Sequence, residues 1–427
     1  MSALYAFLIF LGLTFLGVPV AIALGAGTLA FAAFLDVPLT VVAQSAYTGI
    51  DSFTYIAIPL FVLVGNLMET GGLSKRLVAF ASSLFKKIPG KLGSILVASC
   101  AFFGAISGSA SATTASIGGM MVPEMLDKKY PRGYAGALSA VAGTLGAMIP
   151  PSTVMIIYSL AAEVSVTEMF MAGFLPGIIM AIVLIIYNTV YAVTRKIDTS
   201  TKEDKVSFKE IGRTFWDAKW ALFTPVIILG GIYSGIFTAT ECAVVAAVYA
   251  FVVGKFIYAE LSWKDTFNAL LKTCKTVGGV LIIVAMAIAL GKLLTISQTT
   301  ALVQEFILAR TSDKNVIMLI IIFIVFIAGM FLDSAPIILI ITPLFLPILK
   351  SLGVSPIHFG IVMTFGCMMA NVTPPVGINL YIAMGIAKVD IVTIMKYTIP
   401  LIIAFMITYV CIMFIPEISL FLPNLLA

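Results

Sequence analysis

FGAISGSASATTASIGG, residues Phe103 to Gly119, consists almost entirely of glycine, serine, threonine and alanine. In a water-soluble chain such a composition describes a flexible linker. Here it lies between two apolar stretches of membrane length, where a solvated linker has no place. How this segment is accommodated decides the fold.

The surroundings are unambiguous. Hydrophobic residues make up 61% of the 427 and charged residues 11%, and the mean hydropathy is +1.14. An average globular chain carries about 45–50% apolar and about 25% charged residues. Apolar runs long enough to span recur along the sequence, which makes this an all-α polytopic membrane protein of the lipid bilayer. The net charge of +5 does not point to nucleic acid, because the basic residues sit in short loops rather than in one patch. The N-terminal run lacks a basic leader and continues past Leu29, so it is read as a retained membrane segment and not a cleaved signal. Cys100, Cys242, Cys274, Cys367 and Cys411 are scattered without a CxxC pair and read as packing residues. The single histidine, His358, cannot build a metal site alone and is expected to be structural.

Outward from the opening stretch, the chain divides into two halves joined by one polar connector. In residues 1–194, the run 3–35 is broken at Gly17-Val-Pro19 into two short helices. A semi-polar arm follows at 39–53, then the segment 92–125 that encloses the opening stretch, and a helix over 133–162 interrupted at Pro150-Pro151. Residues 195–221 are a connector whose tail reads as an amphipathic interfacial helix, with Phe208, Ile211, Phe215, Trp216 and Trp220 opposed to Lys209, Arg213 and Lys219. Residues 222–427 then repeat the order: an overlong run 222–254, an arm 260–276, a segment 315–350 and a helix 356–388 interrupted at Pro374-Pro375. Gly104 and Gly329, and Ser109 and Ser334, are both 225 residues apart, while Pro150 and Pro374, and Pro176 and Pro400, are both 224 apart. A nearly constant offset over features of several kinds predicts two structural repeats.

Charge predicts their orientation. Lys86, Lys87, Lys91, Lys128, Lys129, Arg132, Arg195 and Lys196 cluster in three loops, and the alternate loops carry Asp36, Asp51, Glu163 and Glu168. By the positive-inside rule the basic loops are cytoplasmic. Both flanks of 92–125 are basic, so this segment enters and leaves on one side: a re-entrant helical hairpin with the opening stretch near its tip. Each repeat then holds about five crossings plus one hairpin, and the odd number inverts the second repeat.

Irregular backbone at membrane depth is tolerated only in a protein interior or around a wet cavity. Inverted repeats with discontinuous helices at matching positions predict a secondary transporter whose site lies between them. At the first tip, Ser107, Ser109, Ser111, Thr113 and Thr114 offer hydroxyl oxygens. Pro150 and Pro151 donate no backbone hydrogen bond, which frees carbonyls within Gly146–Ile149. Neutral oxygens in a dry cage suit a hard monovalent cation such as Na⁺. The second half offers Asp333, Ser334, Asn371 and Thr373, and half-helix N-termini there favour an anionic substrate. Taken singly, each feature has a plainer explanation: a small-residue segment is usually a packing surface, and a Pro-Pro pair a kink. Their recurrence in both halves favours a site. Glu241 in GIFTATEC serves equally well as a helix cap or a functional acid. An intramembrane enzyme would need a nucleophile–base pair or a metal cluster, and neither HExxH nor GxSxG occurs. The rival from another class is a channel-like conduit that needs no binding protein.

IAIPLFVLVGNLMETGG, FFGAISGSASATTASIGGMMVPEM, GTLGAMIPPSTVMIIYS, PVIILGGIYSGIFTATE, GMFLDSAPIILIITPLFLPI and NVTPPVGINLYIA, in that order, resemble the large membrane subunit of tripartite ATP-independent periplasmic (TRAP) transporters. The resemblance covers essentially the whole chain. It implies a component of the bacterial inner membrane that pairs with a small four-helix membrane subunit, on a separate chain. It also implies a periplasmic substrate-binding protein and Na⁺-coupled import of an organic acid by an elevator motion. In that picture the hairpins and broken helices move, and 3–35, 222–254 and the arms form the scaffold. A sialic acid is the first expectation for the substrate and a C4-dicarboxylate the second. No cofactor is implied beyond Na⁺ as the coupling ion. The family's cation positions fall on Ser107, Ser109, Ser111, Gly146, Ile149 and Pro150 for one site, and on Gly329, Asp333, Gly366, Asn371 and Thr373 for the other. Ser111, Thr113, Asp333, Ser334, Pro151 and Pro375 are the expected substrate-facing residues. Ala239 stands where the family's pattern carries a proline between the threonines of GIFTATE.

Overall fold

The computed structural model describes residues 2–198 and 208–426, and every regular element among them is helical. Among the described residues seven helices are long and apolar enough to cross a bilayer, and one further pair, Arg132–Met148 with Thr153–Ala162, qualifies as a single span bent by 47°. The N-terminal run does form two helices, Ser2–Phe15 and Val20–Phe34. Gly17 adopts φ 82° between them, and Pro19, which cannot donate, caps the second.

The opening stretch folds as two helices, Lys91–Ser107 and Ala110–Asp127, packed on each other and separated only by Gly108 and Ser109. Their far ends meet at one carboxylate. The Leu92 amide and the Tyr130 hydroxyl both donate to Oδ2 of Asp198, each at 3.0 Å. Burial and the Asp198 charge push the Tyr130 phenol well above its usual range, which keeps it a donor. Beside this clamp, buried Asn188 donates to the Gly90 carbonyl (2.8 Å) and the Ser94 hydroxyl (3.0 Å) and accepts from Tyr134 (3.1 Å). In the second half, Lys314–Gly329 and Ser334–Ser351 repeat the arrangement, with Asp333 as N-cap of the latter.

Two expected boundaries shift. The sequence predicts a connector over 195–221 and a separate apolar run from 222 broken at Gly235–Thr240; Phe208–Tyr233 is instead one continuous helix, while the break between Tyr233 and Ala239 falls where expected. No glycine or proline cap separates the amphipathic turns from the apolar ones, and Pro225 is accommodated inside the helix. Residues 199–207 of the expected connector lie outside the described residues. The arm expected at 260–276 is the first half of a single helix, Trp263–Ile296, started by a Ser262–Asp265 capping box. Its counterpart is divided into Leu39–Ile50 and Ala57–Thr70, because Asp51-Ser52 interrupts it.

The two halves interlock reciprocally. Ala57–Thr70 packs on Ala239–Val252, and their counterparts Trp263–Ile296 and Val20–Phe34 pack on each other. Thr153–Ala162 packs on Ser334–Ser351, as Ile378–Ala387 packs on Ala110–Asp127. Arg132–Gly143 packs on Ile391–Phe414, as Pro356–Ala370 packs on Val166–Arg195. A contact whose counterpart also exists with the halves exchanged is what a two-fold relation produces. At the centre lie the two interrupted helices. Every residue from 133 to 152 is buried, and so is every residue from 357 to 373. A helix buried on all sides carries no amphipathic stripe, and these segments are apolar or small apart from Tyr134, His358 and Asn371.

Candidate functional site: two hairpin tips and two broken helices around one cavity

A cavity of about 330 Å³ is walled by both hairpin tips and both helix breaks. From the first tip come Ser107, Ser109 and Ser111, and from the second Asp333 and Ser334. The breaks contribute Ala147 and Thr153 on one side, and Asn371 and Asn379 on the other. Helices Ala57–Thr70 and Trp263–Ile296 close it with Gly65, Asn66, Lys272 and Thr276. Elements 200 and more residues apart in sequence thus share one cavity, in which these polar groups are set among apolar side chains such as Ile58, Val154 and Met368.

The first tip is built from small residues for a geometric reason. Gly108 takes the left-handed conformation, φ 61°, and a Cβ on it would stand 2.8 Å from the Pro151 carbonyl oxygen. Its own carbonyl accepts from the Thr153 amide (3.2 Å) and hydroxyl (3.1 Å), which ties the tip to the first break. Just below, Gly104 lies against Gly146 so closely that an added Cβ would sit 2.8 Å from its Cα. The hydroxyls are linked to one another: Ser107 Oγ to Thr113 Oγ1 at 3.1 Å, Ser109 Oγ to Ser111 Oγ at 3.2 Å. Ser109 also caps the second hairpin helix through the Ala112 amide, and Thr113 donates to the Ser109 carbonyl at 2.8 Å.

At the first break, Pro150 and Pro151 withhold the donors that the Gly146 and Ala147 carbonyls would have received. The Ala147 carbonyl is recovered by the buried Ser152 hydroxyl, at 2.7 Å. This removes Ala147 from the expected set of freed carbonyls; the Gly146 carbonyl still lacks its ladder donor, and so does Ile149, because the Thr153 amide turns to Gly108. At the second break both equivalents are recovered, Ala370 by the Thr373 amide (2.9 Å) and Asn371 by the Asn379 amide (3.2 Å). The second tip is tied to its break by Val376 N–H donating to the Met330 carbonyl at 3.0 Å, the counterpart of the Thr153–Gly108 link. Asp333 Oδ1 accepts from the Ser334 amide at 2.7 Å while more than a third of the residue faces the cavity. Asn371 donates to Ser334 at 3.5 Å, and the buried Asn379 Oδ1 has no partner among the described residues.

Of the expected residues, Ser107, Ser109, Ser111, Asp333, Ser334 and Asn371 line the cavity. Thr113 stands immediately behind the tip, fully buried. Gly146, Ile149, Pro150 and Pro151 are buried in the break rather than on the cavity wall. Gly329 packs on Ala370 and Gly366 on Tyr409, Thr373 donates back to the Met369 carbonyl at 2.9 Å, and Pro375 is exposed. Glu241 forms a capping box with Thr238, with Oε2 accepting from the Thr238 amide at 2.8 Å, which settles its role as structural. His358 is structural too, joined to Ser419 (2.7 Å) and the Met413 carbonyl (3.1 Å). Sequence reasoning missed Asn66, Ser152, Thr153, Lys272 and Asn379. Ser152 and Thr153 follow directly on the Pro-Pro pair and were legible as the next helix cap; Lys272, paired with Glu69 at 2.9 Å, sat in a segment taken for an interfacial arm. Among the described residues no cluster of three or more His, Cys, Asp or Glu suits a transition metal.

In fold, the chain resembles the MtrF antimetabolite efflux pump of Neisseria gonorrhoeae, with a TM-score of 0.63 at 17% identity over 88% of this chain and 83% of that one. It resembles equally the YdaH transporter of Alcanivorax borkumensis, described as having an unusual topology (TM-score 0.62, 16% identity, 88% of each chain). In sequence it is 38% identical to the isethionate TRAP transporter permease protein DctMQ of Oleidesulfovibrio alaskensis, over 95% of this chain but only 64% of that longer protein. It is 34% identical to the C4-dicarboxylate TRAP transporter large permease protein DctM of Vibrio cholerae (100% of this chain, 98% of the relative). To the sialic acid TRAP transporter permease protein SiaT of Haemophilus influenzae it is 31% identical, over 100% of this chain and 69% of that one. Residues 7–418 match the family model of the DctM component of tripartite ATP-independent periplasmic transporters, and the chain belongs to that family: it is a transporter component of the bacterial inner membrane and not an enzyme.

Proposed function

We propose that this chain imports an organic acid anion, coupled to Na⁺, through the cavity shared by the two hairpin tips. The observation that carries this reading is the convergence of both tips and both breaks on one cavity. Hydroxyls of Ser107 and Ser109 with the open Gly146 carbonyl form a neutral oxygen set of the kind that holds Na⁺ at the first tip. Asp333, Ser334 and Asn371 supply the charged counterpart at the second. Between them Ser111, Ser334 and the Asn379 amide face the acid, and Lys272 gives the cavity a cation. The half-helices that restart at Thr153 and Ser334 point their N-terminal partial charges toward that space.

A small acid is favoured over a sialic acid, because the isethionate and C4-dicarboxylate relatives share 38% and 34% identity with this chain against 31% for the sialic acid relative. The partners proposed are a periplasmic substrate-binding protein and a separate small membrane subunit. The greater length of the isethionate relative, of which this chain covers 64%, fits a fusion of that kind of subunit in the relative. The reciprocal packing of the halves and the Asp198 clamp at the base of the first hairpin support re-entrant hairpins in inverted repeats. The hairpins and broken helices would move as one body against the remaining helices.

The test is uptake into proteoliposomes of the chain with its small subunit, varying binding protein, Na⁺ gradient and acid (isethionate, a C4-dicarboxylate and a sialic acid). Uptake of one acid that needs both the binding protein and inward Na⁺ is expected. Uptake that persists without any Na⁺ gradient would remove the coupling, and a conductance without binding protein would favour a channel.

A further inference from the structure

A second cleft, of about 580 Å³, lies away from the transport cavity, between helix Leu73–Leu84, the amphipathic turns of Phe208–Tyr233 and the segment Ile257–Glu260. Its walls are fixed by specific bonds. Thr214 donates to Ser83 at 2.9 Å, and Lys86 pairs with Glu210 at 2.6 Å. Arg76 forms its floor, ion-paired with Glu260 at 2.8 Å, donating to the Gly72 carbonyl at 2.9 Å and stacked 3.7 Å from the Tyr258 ring centre. Two further cations form no ion pair among the described residues, and the Asp217 carboxylate also lines the cleft. Lys219 Nζ rests 3.4 Å from the Trp216 ring centre and 5.2 Å from that of Trp220, and Lys75 is exposed with no partner among the described residues.

Trp216 is 66% exposed, and Phe223, two turns along the same face, 53%. Indole rings favour the headgroup level of a bilayer, and a lane of exposed apolar side chains below them suits an acyl chain. Cations above, tryptophans at the boundary and an apolar lane beneath match a phospholipid in its three parts. Three cations, Lys75, Arg76 and Lys219, against two carboxylates, Asp217 and Glu260, leave the cleft net positive, which favours a headgroup with net negative charge over a zwitterion. We propose that this cleft binds one anionic phospholipid, of the phosphatidylglycerol type, with Lys75 and Lys219 on the phosphate and Trp216 and Trp220 on the glycerol region.

The experiment is native mass spectrometry of the purified full chain, delipidated and titrated with phosphatidylglycerol, phosphatidylcholine or glycerol phosphate. One phosphatidylglycerol is expected to bind roughly tenfold more tightly than phosphatidylcholine, by the attraction of two lysines for an anionic headgroup. That preference should vanish in Lys75→Gln/Lys219→Gln and persist in Lys264→Gln, whose exposed lysine lies outside the cleft. Fold is checked by an unchanged melting temperature. Quenching gives a second reading in the Trp263→Phe chain, where Trp216 and Trp220 are the tryptophans that remain of three. Brominated phosphatidylglycerol should quench them more than brominated phosphatidylcholine. Equal binding of the two lipids, an unchanged preference in the double variant, or competition by glycerol phosphate as effective as by lipid would overturn the proposal. So would expulsion of the lipid by the small membrane subunit, which would assign the cleft to a protein contact.

Discussion

The two halves build the same turn-and-break scaffold and furnish it with different chemistry. In the first, Gly104 meets Gly146, and the tip hydroxyls bond among themselves in a neutral cluster. In the second, Gly329 meets Ala370 at the position 224 residues after Gly146, one methyl larger, and the tip carries a carboxylate. The first break leaves the Gly146 carbonyl without its ladder donor, while the second recovers both of its carbonyls through backbone amides. Under the proposed Na⁺ coupling, a neutral tip against an open carbonyl and a charged tip against a closed break would present oxygen to the cation in two ways. The first relies on backbone proximity, so it tolerates no added atoms; the second relies on one side chain, so it tolerates repacking but not loss of charge.

That contrast can be broken most severely at Gly146. A Cβ there would lie 2.5 Å from the Ser109 carbonyl oxygen and 2.2 Å from Thr113 Oγ1, so Gly146→Val is expected to cost at least about 3 kcal/mol and abolish uptake. The mirror change, Ala370→Gly, should cost only about 1 kcal/mol, measured as a small drop in melting temperature with transport retained. If the two changes proved equally mild, the close approach at the first tip would not matter. Next in size, Asp333→Asn is expected to weaken Na⁺-dependent uptake by a factor of ten or more, roughly the loss of one charge-assisted ligand, while leaving membrane insertion intact. Ser109→Ala removes a cap and a cavity hydroxyl together, a loss of about 1 kcal/mol in stability with reduced uptake. Thr153→Val is the mildest, because its amide still reaches Gly108. A loss of about three- to tenfold in uptake follows from one hydroxyl bond, and unchanged uptake would show that the amide alone secures the tip.

Much of this was legible beforehand, because the signals were covalent or compositional. Pro-Pro pairs cannot donate a backbone hydrogen bond wherever they fall, and small-residue runs at matched offsets mark close approach; both located the hairpins and breaks. The connector and the second arm were misplaced for the opposite reason. In FWDAKWALFTPV the helix runs on through Pro225, so polarity changed along Phe208–Tyr233 while the backbone did not. Likewise the polarity of residues 260–276 suggested a separate element, but only the first half has a break, at Asp51-Ser52, to make one. Lys272 and Asn66 were invisible as cavity residues because what brings them to the tips is packing between halves, with Asn66 donating to Thr273 at 2.9 Å across 207 positions. The capping role of Glu241 needed only its distance to Thr238.

The central claim is that the tips of both halves serve one site. It is tested most directly by a double-mutant cycle on Ser111→Ala and Asp333→Asn, measuring the dissociation constant of the transported acid in the presence of Na⁺. Side chains on a shared cavity should couple, with the double variant departing from the sum of the single losses by at least about 0.5 kcal/mol. Strict additivity, with each variant losing affinity on its own, would mean two independent sites and would contradict the account.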